Sequence, residues 1–476
     1  MSPNHEVFAR RANQGRRGQV LIFFTLWIPV LFGMTALVVD FGRIYVFQTQ
    51  LNASTQAAAL AGGWAMSQPG ATVTTTTTAV TAYSSVGSND NTYSNLSGVS
   101  IVSGYPKFKC LATLTSVYGI QCYGPSSSNA VVVTQQVTVP LLFFPMFRGP
   151  SATLTSTATA AMKGAAPAPY NVAIIVDSTH SMNDTDSDSL CGNTRIYCAL
   201  SGVRVLLQNL SPCLPTETSC GTATGGNVSN SVDRVSLMTF PPVTAVTAVD
   251  DYNCGSSTPS IVDYTTPFPA TATYQIVNFS SDYRSSNKAT SLNSASDLVA
   301  TAAGKSGCAG LQAIGGPGTY YAQAIYAAQA YLATEQASYP TSKNVLIMLS
   351  DGNANADSAH MPGASTTSGV YPSTKQECHQ AISAAQAAAT AGTRVYAVAY
   401  GAEASGCTTD TSPAITPCQT MEQIASAPQY FFSDYTATGG DGTCISASQP
   451  VTGLNQIFQT IVTDLSIVKL IPNNTT

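Results

Sequence analysis

Charge is scarce in this chain of 476 residues: Asp, Glu, Lys and Arg make up only 9% of it, and the net charge is −5. No basic footprint stands out, which argues against a nucleic-acid partner. Histidine is rarer still, with four residues, and no C-x-x-C spacing occurs, so zinc and iron–sulfur frameworks find no support. The signatures G-x-S-x-G and H-E-x-x-H are missing, as is a P-loop, so an enzymatic reading has no residues to stand on. The twelve cysteines are the exception to this sparseness. They are even in number, and several fall close together: Cys110/Cys122, Cys191/Cys198, Cys213/Cys220 and Cys407/Cys418. Disulfides in an oxidising compartment account for them best, with the connectivity open.

The amino-terminal 19 residues are polar and basic, with Arg10, Arg11, Arg16 and Arg17. From Val20 to Val39 no charged residue appears. A run of about 20 apolar residues spans a bilayer as one helix, and Pro29 is tolerated within it. The arginines on one side place the amino terminus in the cytoplasm and everything after Asp40 outside. A cleaved signal peptide would have a shorter core and a small-residue cleavage site next; VVDFGRIYVFQTQ follows instead, which favours a retained anchor. Good helix formers continue from Leu51, with Gly62-Gly63 as a stop. Arg17-Gly18-Gln19, the apolar span with Pro29, Asp40-Phe41-Gly42-Arg43 and Ala57–Gly62 together resemble the amino-terminal segment of TadG-like proteins of the Tad (Flp-type) pilus machinery. The resemblance implies a bacterial cell-membrane protein, crossing once, with its bulk periplasmic or extracellular and with pilus-assembly proteins as partners. Phe23 stands where a cleavable prepilin has Glu, which reads against processing as a pilin subunit.

Residues 67–163 show no strong helical period. Thr74–Thr78 is a threonine run. Val99–Val102, Ala130–Val139 and Ala152–Ala161 are β-branched and partly alternating, which predicts strands. Cys110 and Cys122 suit a stapled hairpin or loop. Leu141–Phe147 (LLFFPMF) is too short to cross a bilayer; core or interdomain packing is favoured over contact with a membrane surface. Residues 164–169 read as a Pro-stiffened linker, and 467–476 as a tail.

From residue 170 to 466 strands and helices alternate. Strands are predicted at Val172–Val176, Arg234–Phe240, Asn344–Ser350, Arg394–Tyr400 and Tyr430–Ser433. Helices are predicted at Arg195–Leu210, Thr319–Thr334, Glu377–Ala391 and Leu454–Leu465. This alternation argues an α/β fold, a mostly parallel sheet flanked by helices. Polar residues cluster at strand ends, where open α/β sheets place ligand sites. Asp177, Thr179 and Ser181 alternate, and all are oxygen donors suited to a hard cation.

Three motifs, Asp177-Ser-Thr-His-Ser181, Gly315-Gly-Pro-Gly-Thr319 and Leu349-Ser-Asp351-Gly352, stand in order at strand–helix junctions. In that arrangement the region resembles a von Willebrand factor type A (VWA) domain, a Rossmann-like fold. The resemblance implies a metal-ion-dependent adhesion site. Thr179 and Ser181 would give hydroxyls directly to Mg²⁺ (or Mn²⁺ or Ca²⁺), and Asp177, Thr319 and Asp351 would complete the shell. Neutral hydroxyls leave such an ion electron-poor, so that an acidic side chain of a protein partner can join it. Thr179 stands where the family more often has Ser. The alternative is a metal-free scaffold in which these residues cap helices and satisfy turns.

Asp184, Asp186 and Asp188 form D-T-D-S-D, but Ser189 and Arg195 occupy the Gly and Glu places of a calcium-binding EF-hand loop. A solvated acidic insertion is favoured over weak calcium binding. His180 is expected to turn away from the ion, and His360, Cys378 and His379 show no partner pattern. Long Ser/Thr/Gly-rich insertions at 182–194, 211–231 and 241–310 read as loops around the strand-end site.

Overall fold

The structure is a computed structural model of the chain. It describes all residues except 1–16, 69–70, 87–95, 119–121, 123, 144–149, 163–168, 215–216, 245–253, 255–259, 265–271, 314, 316–317, 466–469 and 473–476. The basic tail before Arg17, nearly all of the 164–169 linker, and Gly316 and Pro317 thus lie outside the described residues.

Arg17–Ala65 is one continuous helix, α1, of 49 residues, about 74 Å long at ~1.5 Å per residue. In its first half Phe23, Phe24, Leu26, Trp27, Leu31 and Phe32 are exposed. The helix from Phe23 is long and apolar enough to cross a membrane. Its second half packs on an antiparallel sheet made of β1 (Ser100–Ile101), β2 (Lys107–Lys109), β3 (Ala130–Pro140), β4 (Ser151–Ala161) and β13 (Leu470–Ile471). The long β3–β4 hairpin pairs from Ala130↔Ala161 to Pro140↔Ser151. Ala58, Ala59, Val131, Val133 and Ala160 form one part of the interface, and Leu51, Val137 and Val139 another. Small residues on the helix let its backbone approach the sheet. This explains why Gly62-Gly63 is not a stop: the helix runs on to Ala65. A Cβ at position 62 would meet Val80 Cγ2 at 2.6 Å and Val131 Cγ1 at 3.1 Å, so the glycine serves close packing.

The middle segment is less uniformly stranded than its β-branched residues suggest. The threonine run lies in a helix, α2 (Val73–Ala82). A reciprocal capping box between Thr72 and Thr75, with Thr76 and Val80 buried, outweighs the strand preference of threonine. Cys110–Cys122 flanks a second short helix, α3 (Ala112–Tyr118), rather than a hairpin. Leu470 and Ile471, within the stretch expected as a tail, pair with Ala160 and Thr159 of β4.

The carboxy-terminal region holds a six-stranded sheet. Its strands are β5 (Tyr170–Asp177), β8 (Arg234–Thr244), β9 (Ala272–Ser280), β10 (Lys343–Ser350), β11 (Arg394–Tyr400) and β12 (Phe431–Asp434). A small hairpin, β6 (Thr185–Asp186) with β7 (Asn193–Thr194), stands apart. The sheet order is β12-β11-β10-β5-β8-β9, parallel except for the antiparallel edge β9. Every residue of the central β5 is buried, because helices cover both faces. On one face lie α4 (Arg195–Asn209), α5 (Asp297–Thr301) and α9 (Leu454–Leu465). On the other lie α6 (Ala322–Ser338), α7 (Glu377–Thr390) and α8 (Pro417–Ile424). This is the α/β architecture expected from the alternation, with β9, α5 and α8 added. The β9 strand escapes a period-2 search because register shifts against β8 leave both Ile276 and Val277 buried. Within the sheet the chain order is that of a doubly wound fold, whose ligand crevice opens between its first and fourth strands, here β5 and β10.

Six disulfides use all twelve cysteines: 110–122, 191–198, 213–220, 254–308, 378–407 and 418–444. Cys407 and Cys418, near neighbours in sequence, therefore bond elsewhere. Cys378, which shows no partner pattern in the sequence, holds Cys407 and so ties α7 to the loop after β11.

Helix α9 buries Leu454, Ile457, Phe458, Ile461, Val462 and Leu465 along one face. The Phe458 ring fills the space beside Gly202 of α4, where a Cβ would stand 2.2 Å from it. Phe458→Ala leaves that space empty, and we expect a loss of about 3–5 kcal/mol in denaturant unfolding.

Candidate metal centre

Strand β5 ends at Asp177, whose side chain is fully buried. Its Oδ1 accepts the Thr179 N–H at 2.8 Å and the Thr179 hydroxyl at 2.6 Å. Its Oδ2 accepts the Ser350 hydroxyl at 2.9 Å, which fastens β5 to the end of β10. The Thr179 and Ser181 hydroxyls lie 3.2 Å apart. Ser181 Oγ lies 3.5 Å from Asp351 Oδ2, a long contact at the limit of hydrogen bonding. Four of the five residues singled out in the sequence thus form one connected cluster at the β5/β10 crevice. Thr179 presents its hydroxyl between Asp177 and Ser181, the place a serine hydroxyl would hold.

Thr319 joins this cluster through the backbone of the loop that follows Asp351. Asn355 N–H donates to Thr319 O at 2.8 Å, and Thr319 N–H donates to Asn355 Oδ1 at 2.9 Å. Gly318, at φ +61°, allows the approach: a Cβ there would stand 2.7 Å from Ala356 Cα. Asn183 Nδ2 donates to Ala313 O, tying the turn after Ser181 to the chain leading into the same glycine loop. His180 is exposed, and a Cβ at Gly315 of the glycine loop would stand 4.0 Å from its Nδ1.

The electrostatics are those of two acids crowded together. Burial, and then the Asp351 carboxylate, push Asp177 up to about 7. Burial likewise raises Asp351, against the pull of the Asn353 N–H and the Arg195 guanidinium. Arg195 is itself buried, donates to Thr438 O, and is the cation nearest in effect to the pair. Among the described residues no group of three or more His, Cys, Asp or Glu side chains is placed to hold a metal ion. The cluster instead combines the Asp177 and Asp351 carboxylates with the Thr179 and Ser181 hydroxyls. That donor set fits a hard divalent cation, which would relieve the repulsion between the acids.

Residues without a motif hold the site in place. Asn353 Oδ1 accepts the Cys407 N–H at 2.9 Å, joining the Asp351 loop to the loop after β11. Glu377 is fully buried, and its Oε2 accepts the Ala356 N–H at 2.8 Å. The D-T-D-S-D stretch is exposed at Asp184, Thr185 and Ser187, as expected of a solvated insertion, but its middle acid is not. Asp186 is buried and accepts from Tyr400 Oη at 2.7 Å and from Thr438 N at 3.1 Å. Burial opposes its ionisation, but these donors prevail and hold it below the usual carboxylate range. Asp188 accepts the Thr436 hydroxyl at 2.6 Å. These carboxylates are spent on fastening the insertion to the ends of β11 and β12. His379, without a partner pattern in the sequence, hydrogen-bonds Asp410, and His360 pairs with Asp357.

Residues 18–65 match the family described as putative Flp pilus-assembly TadE/G-like. None of the curated proteins matches the chain. Among solved structures, the pilus adhesin SpaC from Lactobacillus rhamnosus GG, in its open conformation, is similar at 14% identity with a TM-score of 0.37. The match covers 71% of this chain and 32% of that one, so the chain spans about a third of the adhesin's length. The manganese-loaded TRAP protein of Plasmodium vivax is similar at 10% identity and a TM-score of 0.32, over 64% of this chain and 76% of that one. At these scores neither likeness carries a functional argument.

Glu377 also sets a pH dependence. Burial pushes its carboxyl up to about 8 from an ordinary 4.5, and its Oε1 has no hydrogen-bond partner. Between those values the folded chain binds a proton that the unfolded chain has released, so this group's stabilisation falls as pH rises. In chelator, Glu377→Gln should remove that component: its melting temperature should fall less than that of the parent chain between about pH 5 and pH 8.

Proposed function

We propose that this chain is a membrane-anchored, extracytoplasmic binding protein of a Tad/Flp pilus-assembly or surface-adhesion system. Its carboxy-terminal region acts as a VWA module with a metal-ion-dependent adhesion site, and its work is binding, not catalysis. The observation that carries this reading is the crowding of buried Asp177 and half-buried Asp351 among the Thr179 and Ser181 hydroxyls at the β5/β10 crevice. Two acids crowded together, one of them fully buried, call for a counter-charge, and Arg195 is a single one. When bound, Mg²⁺ (or Mn²⁺ or Ca²⁺) supplies a hard Lewis acid able to accept an acidic side chain from a protein partner.

The chain's own residues prepare for that. Asp177 spends both oxygens on hydrogen bonds, so it orients Thr179 and holds Ser350 in place. Thr179 and Ser181 hold their hydroxyl oxygens within hydrogen-bonding distance of each other. Thr319 is held by Asn355 and Asp351 by Asn353, so the three loops are set before any ligand arrives. The exposed apolar half of α1 and the TadE/G-like match over residues 18–65 support the anchor and the pilus setting. With the arginines preceding the helix in the cytoplasm, the site stands outside the membrane.

Calorimetric titration of Mg²⁺ into the full chain in detergent should show one saturable site. It should vanish in Asp177→Ala and in Thr319→Ala while near-UV circular dichroism is unchanged. Absence of saturable binding in the parent chain would leave the metal-free scaffold as the better reading.

A further inference from the structure

The LLFFPMF segment does not pack into the core where the structure describes it: Leu142 is 55% exposed and Phe143 47%. They open the connection from β3 to β4, whose neck is closed by Leu141 N–H donating to Pro150 O at 3.0 Å. One residue of α1 holds this start of the turn. Asp40, 1% exposed, accepts the Leu142 N–H on Oδ1 at 2.8 Å and the Phe143 N–H on Oδ2 at 2.9 Å. Asp40 is the first charged residue after Val20–Val39, a run of about 30 Å at ~1.5 Å per residue, the thickness of a bilayer's hydrocarbon core. Leu142 and Phe143 are therefore held level with the end of the apolar span. Phe41, 56% exposed, lies at the same level, and Tyr45, 73% exposed, lies about 8 Å further along α1.

We propose that Leu142 and Phe143 form a second membrane contact, inserted into the interfacial layer of the bilayer that α1 crosses. The proposal rests on the reading of α1 as an anchor. Its occupant is lipid because the patch continues the apolar surface of the spanning helix. Aromatic and leucine side chains suit that depth, where an apolar body meets hydrated headgroups. The carboxylate clamp fits the same place. Backbone N–H groups carried to a membrane boundary lose water as a partner, and a bidentate acceptor on the adjoining helix satisfies two of them at once. The clamp also makes the contact rigid, since the helix that sets the depth holds the turn directly.

The test uses the full chain in phospholipid nanodiscs. All native cysteines are disulfide-bonded, so Leu142→Cys or Phe143→Cys supplies a single thiol for an environment-sensitive fluorophore. Lipids brominated near the headgroup are compared with lipids brominated deep in the acyl chains. We expect shallow bromines to quench labels at both positions, deep bromines to quench a Leu31→Cys label, and neither to quench a Ser383→Cys label on exposed α7. Asp40→Ala should lose the quenching at position 142 and keep that at position 31. Labels at 142 and 143 that stay unquenched while Leu31→Cys is quenched overturn the inference, whether their emission reports water or a protein partner. An unquenched Leu31→Cys label overturns the anchor and with it this contact.

Discussion

The carboxylate of Asp177 is the constraint on which the carboxy-terminal region turns. It ends the most deeply buried strand, at the point where the sheet's connections reverse direction, and both of its oxygens are engaged. A charge in that position is costly to bury, and the surrounding structure is arranged to offset the cost with donors rather than with a salt bridge. Thr179 and Ser350 do so from two different strand ends, and this brings the β5 and β10 loops together. Ser181 and Asp351 then meet across the crevice so formed, held there also by Asn183 and Asn353.

The parallel core was legible in the sequence because strands covered on both faces leave an unbroken apolar run, as in Val172–Val176 and Asn344–Ser350. The long helices were legible for a related reason: α9 repeats its apolar residues at helical spacing. Legibility failed where tertiary packing overrode local preference. Threonines of α2 became helical under a cap and a contact with α1, and Gly62-Gly63 continued a helix because the sheet lies so close. It failed again where a bulge hid the alternation of β9. At the site, the ligand-type residues carried a recognisable spacing, and four of them meet. Asn355, Glu377, Ser350 and Arg195 carried no such signal. Each acts across a gap of sequence that only the fold closes, as Ser350 does with Asp177 across 173 positions.

The acidic insertion illustrates how composition alone misleads. Alternating aspartates read as solvated or as calcium ligands, yet Asp186 is enclosed by Tyr400 and Thr438 and held ionised by them. The loop meets solvent at Asp184, Thr185 and Ser187, yet Asp186 and Asp188 bind it down at the rim of the crevice. The Cys191–Cys198, Cys378–Cys407 and Cys418–Cys444 bonds act in the same sense at the carboxyl ends of the strands. A rim held by disulfides and buried acids presents a surface of fixed shape to whatever approaches.

The short pairing of β13 with β4 has a mechanical meaning. The chain leaves β4 at Ala161 to enter the carboxy-terminal region, and after the last helix it returns to lay Leu470 beside Ala160 of the same strand. A body joined to its support by one strand of chain can swivel about any axis. A body joined at two adjacent points is held against turning more firmly than one joined at a single point. Both points lie on β4 of the sheet that packs on α1, so a load applied at the crevice enters that sheet at two places.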